Sequence, residues 1–230
     1  MVNAASTPAP GAEARAAERR LILSYAPKEA RGGVNALFDL DATLADVLRH
    51  AREPMIAQMR LTWWHDALTK LDSAAPPAQP VLVALASDVV GRGVSGAELA
   101  TLVEGWEALL DGEPGDAAVR ATFADARGVR LFGLAARVLR AEAPVEGGRG
   151  WALADLSRSL SDEAAASAAA GEAQASLTRA RAAPWPRRAR VLGAMVQQAS
   201  MDLTAPRDLP LPAATPRRVA RLAWHRLTGR

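Results

Sequence analysis

The hydrophobic and polar positions of this chain follow the spacing of α-helices. In the segment 54–72, for example, Met55, Met59 and Trp63 recur four residues apart, which places them on one side of a helix. Alternating patterns of β-branched and polar residues, typical of half-buried strands, are nearly absent. Alanine, leucine, arginine and glutamate dominate the composition and have high helix propensities. The pattern therefore predicts an all-α protein.

Proline and glycine divide the chain into about eight or nine predicted helices. Residues 1–12 are predicted to be a flexible tail. No linker or fixed-period repeat interrupts residues 13–230, which we expect to form one helical bundle. The stretch Pro144–Gly150 is predicted to be a loop. The predicted helices span residues 14–25, 28–50, 54–72, 81–91, 95–110, 116–142, 151–182, 187–204 and the segment from 215 onward.

The helix predicted over residues 54–72 is unusually apolar. Its first apolar stripe contains Met55, Met59 and Trp63, and a second contains Leu61, Trp64, Leu68 and Leu71. Together the stripes cover more than the usual apolar third of a helix surface. Such a helix is either central in the core or carries a surface for a partner. Methionine and aromatic stripes at this spacing usually pack in a core.

The composition excludes several classes of protein. The 230 residues contain no cysteine, which excludes disulfide scaffolds, thiolate metal sites and cysteine nucleophiles. The three histidines, His50, His65 and His225, lack metal-ligand spacing. No apolar stretch approaches the roughly 20 residues of a membrane span, and the N-terminus lacks the apolar region of a secretory signal. We therefore expect a soluble, cytoplasmic protein.

Arginine dominates the charge of the chain. The formal net charge is only +3, and among the 28 basic residues Lys28 and Lys70 are the only lysines. This weak net charge does not indicate nucleic-acid binding. Residues 179–190 and 217–230 each contain five arginines and no acid. These segments predict either a solvated surface or contact with an acidic partner or an anionic membrane, which would place the protein at the inner face of the cell membrane.

Carboxylates with helical spacing are the candidate chemistry of the sequence. Asp39 and Asp46 lie seven residues apart, and Asp155 and Asp162 repeat that spacing. Acids on two facing helices are able to hold magnesium against a diphosphate. Acids at these spacings are more often exposed residues of a solvated helix face.

Several segments together resemble the squalene and phytoene synthases. The segments are Tyr25-Ala26-Pro27 with Arg31 and Ala36-Leu37-Phe38, then Leu61-Thr62-Trp63-Trp64-His65-Asp66-Ala67-Leu68, Leu102-Val103-Glu104-Gly105 and Trp151-Ala152-Leu153-Ala154-Asp155-Leu156-Ser157-Arg158. The resemblance implies an all-α isoprenoid-synthase fold, C-terminally shorter than in those enzymes. It also implies head-to-head joining of prenyl diphosphates with the help of Mg²⁺.

The acidic motifs of that family are degenerate here. The first falls on Ala45-Asp46-Val47-Leu48-Arg49, where one acid remains and an arginine replaces the last acid. The second falls on Arg158-Ser159-Leu160-Ser161-Asp162-Glu163, where serine replaces the leading aspartate. Ionising an allylic diphosphate requires several magnesium ions, each held by carboxylates. An arginine in the first motif would repel them.

A second resemblance is to a non-catalytic branch of the same family. The run Arg52-Glu53-Pro54-Met55, continued by Gln58-Met59-Arg60-Leu61-Thr62-Trp63-Trp64, is similar to the branch that includes a mitochondrial assembly factor of respiratory complex I. This resemblance implies a protein without cofactor or catalytic residues that acts by contacts with protein partners such as respiratory complex subunits. The implied interaction residues are Met55, Met59, Trp63 and Trp64.

Two alternatives remain open at this point. The first is an active prenyl-diphosphate transferase with altered specificity. Its magnesium ligands would be Asp46, Asp162 and Glu163, and its diphosphate pocket would contain Tyr25, Arg31, Asp46, Arg60 and Arg158. The second is a non-catalytic module that binds a prenyl or lipid ligand in a retained apolar pocket.

Overall fold

The computed structural model describes residues 11–51 and 53–230. In these residues the chain forms helices that are joined by turns and loops. Residues 1–10 of the predicted flexible tail lie outside the described residues. No β-strand occurs in the two described ranges, so the all-α class is confirmed. The helices are α1 (Ala12–Leu23), α2 (Lys28–His50), α3 (Pro54–Thr69), α4 (Pro80–Asp88), α5 (Gly96–Ala100), α6 (Val103–Asp111), α7 (Ala117–Phe123), α8 (Arg130–Leu139), α9 (Val145–Ser159), α10 (Glu163–Ala180), α11 (Arg190–Leu203) and α12 (Pro216–Thr228).

The described residues contain more helices than the sequence predicted, because three of the predicted helices are each divided into two. The segment 95–110 forms α5 and α6, and the segment 151–182 contains the end of α9 and all of α10. A six-residue π-helical segment, Ala124–Val129, connects α7 to α8. The capping box predicted at Ser95 is present, because the Glu98 amide donates to Ser95 Oγ and the Ser95 amide donates to the Glu98 carboxylate.

The predicted loop Pro144–Gly150 is wrong, because α9 already begins at Val145. Glycine lowers helix propensity by about 1 kcal/mol relative to alanine, which made this glycine-rich stretch resemble a loop. The buried glycines Gly147, Gly148 and Gly150 instead allow other parts of the chain to approach α9 closely. Tertiary packing therefore outweighs the low propensity.

Helix α2 lies in the centre of the core and packs against α3, α4, α6 and α8. Its inner face contains the fully buried Val34, Leu37, Leu40 and Leu44. A second group consists of α9, which packs against α10, α11 and the π-helical segment. Helix α12 covers α11. None of the helices in the described residues has the length and hydropathy needed to cross a membrane.

The two apolar stripes of α3 differ in their exposure to solvent. Leu61, Trp64 and Leu68 of α3 and Leu71 just after its end are buried, as expected of core residues. Met55, Met59 and Trp63 are 73%, 68% and 47% exposed, so the expectation of core packing is wrong for this stripe. The neighbouring helices α2, α5 and α6 cover only the other side of α3.

Candidate functional site

A cleft of about 440 Å³ opens between α1, α2, α9 and α11. Its wall contains the large apolar side chains of Phe38, Trp151, Met195 and Leu211. The charged residues that line it are Arg15, Glu18, Arg19, Arg49, Asp155, Arg158, Asp202 and Arg218. Its volume falls within the range of small-molecule sites, roughly 300–1,000 Å³.

A buried arginine lies behind the wall of this cleft. Arg127 Nε and Nη2 donate to the two carboxylate oxygens of Asp41 at 2.7 and 2.8 Å. Arg127 Nη1 donates to Asp155 Oδ2 at 2.6 Å. Arg127 and Asp41 are almost completely buried, whereas the side chain of Asp155 is 59% exposed and lines the cleft. The guanidinium therefore joins a carboxylate of α2 to one of α9.

Aromatic rings surround the guanidinium of Arg127. Its central carbon lies 4.4 Å from the ring centroid of Trp106, 4.7 Å from Trp151 and 5.4 Å from Phe123. Cations are attracted to such ring faces. Burial by itself would lower the pKa of Arg127, but the charges and hydrogen bonds of Asp41 and Asp155 outweigh burial and raise it. Arg127 is a permanent cation at this position.

The π-helical segment and two glycines determine the position of Arg127. π-Helical turns insert an extra residue and often occur at functional positions. A Cβ atom on Gly128 would lie 2.2 Å from the carbonyl oxygen of Gly148, and a Cβ on Gly148 would lie equally close to the Gly128 carbonyl. Only glycine permits α9 to approach the π-helical segment so closely. This contact brings Asp155 within reach of Arg127.

A second ion cluster forms another wall of the cleft. Arg218 Nη2 donates to Glu18 at 2.6 Å, and its Nη1 forms an ion pair with Asp202 at 2.7 Å. The Glu18 carboxylate also accepts hydrogen bonds from Gln198 and the Ala214 amide. Burial alone would raise the pKa of Glu18. The hydrogen bonds from Arg218, Gln198 and the Ala214 amide have the larger effect, so the pKa lies below its usual value. Burial raises the pKa of Asp202 despite Arg218. The cluster joins α1, α11 and α12.

The structure does not bring the predicted diphosphate ligands together. Tyr25 is buried beneath Arg226, and Arg31 donates to the carbonyls of Ser24 and Ala26 at the turn before α2. Arg60 is exposed on α3. Arg158 alone among the five lines the cleft, and its donors bond four backbone carbonyls in the segment 202–209.

The predicted magnesium ligands are also separated. Asp46 pairs with Arg49 at 2.9 Å on the surface. Asp162 is the N-cap of α10 and accepts from the Ala165 amide, while the exposed Glu163 pairs with Arg207. The described residues contain no group of three potential metal ligands. These residues do not fit a magnesium clamp, because such a clamp requires carboxylates converging on one point.

The sequence interpretation missed Arg127, Asp41 and the Glu18–Arg218 pair. A signal was present, because Asp41 falls between the buried Leu37 and Leu44 on the apolar face of its helix. Likewise Arg127 lies four residues after the buried Phe123 and four before the buried Leu131. A charged residue on an apolar stripe needs a buried partner of opposite charge. The sequence does not show which acid pairs with which arginine.

The predicted interaction residues lie on one helix but differ in exposure. Met55, Met59 and Trp63 form a continuous stripe on α3, and Ile56 beside them is 39% exposed. Trp64 is buried and contacts Trp63 edge to face at 5.2 Å between ring centroids. The exposed surface therefore consists of Met55, Ile56, Met59 and Trp63, which we call the α3 stripe.

A comparison with protein families identifies one match. The model described as squalene/phytoene synthase matches residues 13–128, about half of the chain. These residues contain all but the first residue of α1, the helices α2 to α7, most of the π-helical segment, Asp41, Arg127 and the α3 stripe. Searches of curated proteins and of solved structures found no significant match.

Proposed function

Because the chain belongs to the squalene/phytoene synthase family, we propose that it is a non-catalytic member that acts by protein contacts through the α3 stripe. Its finer role in this proposal is assembly of a respiratory complex, as the resemblance to the complex I assembly branch implies. The observation that carries the proposal is the position of Arg127 between Asp41 and Asp155.

Arg127 argues against metal-dependent ionisation of a diphosphate. A magnesium clamp needs free carboxylates on facing helices. Here the carboxylates of α2 and α9 that face each other already hold a permanent cation. The acids left from the two family motifs have other partners: Asp46 and Glu163 form ion pairs with Arg49 and Arg207, and Asp162 caps α10. This arrangement supports a role of the interior charges in stabilising the fold rather than in binding magnesium.

The α3 stripe supports a role in protein contact. Methionine and tryptophan are enriched in the centres of protein interfaces. Arg60 is exposed on the same helix, one residue after Met59. The matching partner surface is an apolar groove or helix that carries an acidic residue opposite Arg60. Contacts of this kind do not require any chemistry in the cleft.

We expect no magnesium-dependent binding of a prenyl diphosphate. Calorimetric titration of the full chain with a non-hydrolysable farnesyl diphosphate analogue, with and without Mg²⁺, measures this directly. Binding that requires Mg²⁺ and disappears in Asp162→Ala would contradict the proposal and favour the transferase alternative.

The cleft itself favours a second candidate, the prenyl- or lipid-binding module. Its wall combines the apolar side chains of Phe38, Trp151 and Met195 with several arginines. Binding of the analogue without Mg²⁺, weakened by Met195→Asp but not by Asp162→Ala, would favour this candidate.

Polar substitution of the α3 stripe is expected to abolish partner binding without unfolding the protein. Met55→Glu/Met59→Glu changes two side chains that are 73% and 68% exposed, so the fold should tolerate it. At the centre of an interface, loss of a well-packed side chain costs about 1 kcal/mol or more, and each glutamate adds a charge without a partner there, so the double variant should lose at least roughly tenfold in affinity. The readout is recovery of respiratory complex I in cells that lack the chain, together with crosslinking to identified complex subunits.

Matched controls distinguish this stripe from exposed apolar residues in general. Trp224 on α12 is 56% exposed, so Trp224→Ser removes a comparable aromatic side chain elsewhere. We expect Trp224→Ser and Asp162→Ala to restore complex I, and Met55→Glu/Met59→Glu to fail. Full recovery with the stripe variant would refute the assembly role.

A further inference from the structure

A second cleft, of about 660 Å³, lies outside the family match. It is bounded by the end of α10, by α11, by the segment 204–215 and by the start of α12. Four arginines line it, and none of the described residues that line it is acidic. One of the four, Arg218, is directed to Glu18 and Asp202. The other three are Arg181, Arg217 and Arg221.

Neutral acceptors hold two of these arginines. Arg181 Nη1 donates to Ser200 Oγ at 2.7 Å. Arg221 Nε and Nη2 both donate to Gln197 Oε1, at 3.2 and 2.9 Å, and Gln197 is buried. A guanidinium has five N–H donors, so most donors of both residues stay available in these contacts. The arginines are thus oriented by the protein but not neutralised by it.

Like charges are close together in this cleft. Burial lowers the pKa of Arg181, and the charge of Arg221 lowers it further. Arg137 and Arg149 behave differently, because their carboxylate partners, Glu98 and Asp125, raise their pKa. Two neighbouring guanidiniums without a carboxylate are stabilised when an anion binds between them.

Helix α12 adds to the positive potential. Thr215 is its N-cap, makes no side-chain capping bond, and lines the cleft together with Arg217 of the first turn. The N-terminus of a helix of 13 residues presents free amides and a partial positive charge to an anion. The hydroxyls of Ser200 and Thr215 are further polar groups in the same cleft.

We propose that this cleft binds a phosphate group, with Arg181 and Arg221 as its bidentate ligands. The phosphate belongs to a soluble phosphate ester or to an anionic lipid headgroup. Met201, Pro206 and Pro212 form an apolar part of the wall, where the carbon part of the ligand would lie. The site is independent of the α3 stripe and of the function proposed for it.

Titration of the full chain with inorganic phosphate and inorganic diphosphate tests the site. We expect binding that weakens as salt concentration rises, because screening reduces the attraction of charges. Arg181→Gln/Arg221→Gln should weaken binding at least tenfold, because each substitution removes the charge-assisted hydrogen bonds that one guanidinium donates to the phosphate. Arg20→Gln removes one exposed charge from α1, away from the cleft, and should leave the affinity unchanged.

Flotation with vesicles distinguishes the two sources of the phosphate. Vesicles of phosphatidylcholine alone are compared with vesicles that also contain phosphatidic acid. Recruitment only by phosphatidic acid, lost in Arg181→Gln/Arg221→Gln, identifies a lipid headgroup, whereas diphosphate binding without recruitment identifies a soluble ligand. The proposal is overturned if neither probe binds, or if the double variant, shown to be folded by circular dichroism, binds as well as the wild type.

Discussion

Arg127→Leu is expected to destabilise the protein by about 3–5 kcal/mol, because it leaves the buried carboxylate of Asp41 without its partner. Asp41 receives both of its described side-chain hydrogen bonds from Arg127, and both residues are almost completely buried. The substitution also removes the cation from the ring faces of Trp106 and Trp151. For a chain of this size, the melting temperature should fall by about 10 °C.

Urea unfolding at neutral pH measures the loss, and Arg149→Leu is the matched control. Arg149 donates two hydrogen bonds to Asp125, but this pair is 36% and 51% exposed. Exposed pairs contribute only about 0–1 kcal/mol. Equal losses for the two variants would show that burial does not determine the strength of the Arg127 cluster.

A double substitution separates the strength of the ion pair from the penalty of an unpaired charge. Asp41→Leu/Arg127→Met removes both buried charges and keeps apolar volume at both positions. Replacing a buried pair by apolar residues is often neutral or stabilising. We therefore expect the double variant to recover much of the stability lost in Arg127→Leu. A double variant less stable than Arg127→Leu would mean that the ion pair itself contributes most of the free energy of unfolding that is lost in Arg127→Leu.

Gly148→Ala is expected to destabilise the protein by about 3 kcal/mol, the upper part of the range for overpacking. The new Cβ would lie 2.2 Å from the carbonyl oxygen of Gly128 and 3.1 Å from Phe132 Cβ. A backbone carbonyl is unable to rotate away as a side chain does, so α9 and the π-helical segment must separate. This separation would also weaken the contact of Arg127 with Asp155.

Gly133→Ala provides the comparison for Gly148→Ala. Gly133 lies within α8, and a Cβ at this position meets no atom within 4 Å. Alanine there should stabilise the protein by about 0.5–1 kcal/mol through helix propensity and a less flexible unfolded chain. Chemical denaturation of both variants should give opposite signs. The same sign for both would contradict the close approach of α9 to the π-helical segment.

The two largest effects should not be additive. Gly148 lies on α9 about two turns before Asp155, and Gly128 directly follows Arg127. Substitutions that act on one packed cluster show coupling energies of 0.5–3 kcal/mol. The combined variant Arg127→Leu/Gly148→Ala should therefore lose less stability than the sum of the single losses.

The helical periodicity, the turn residues and the capping box determined most of the secondary structure. Lys28–His50 and the start of α3 at Pro54 follow from local signals that act within a few residues. Most segments that carried the family resemblance lie within residues 13–128, which the family model matches, whereas the segment 151–158 lies beyond them. The role implied by the assembly branch remains a prediction, because it depends on a partner.

The sequence alone determined the all-α fold class, most helix boundaries and the loss of acids from the two motifs, since these properties depend on local spacing and residue type. Only the tertiary structure decided that the glycine-rich start of α9 is helical, that Met55 and Met59 face outward, and that Arg127 joins Asp41 to Asp155. Arg127 and Asp41 are 86 positions apart. The pairing of such distant charges is determined by the packing of helices, which helical periodicity does not encode.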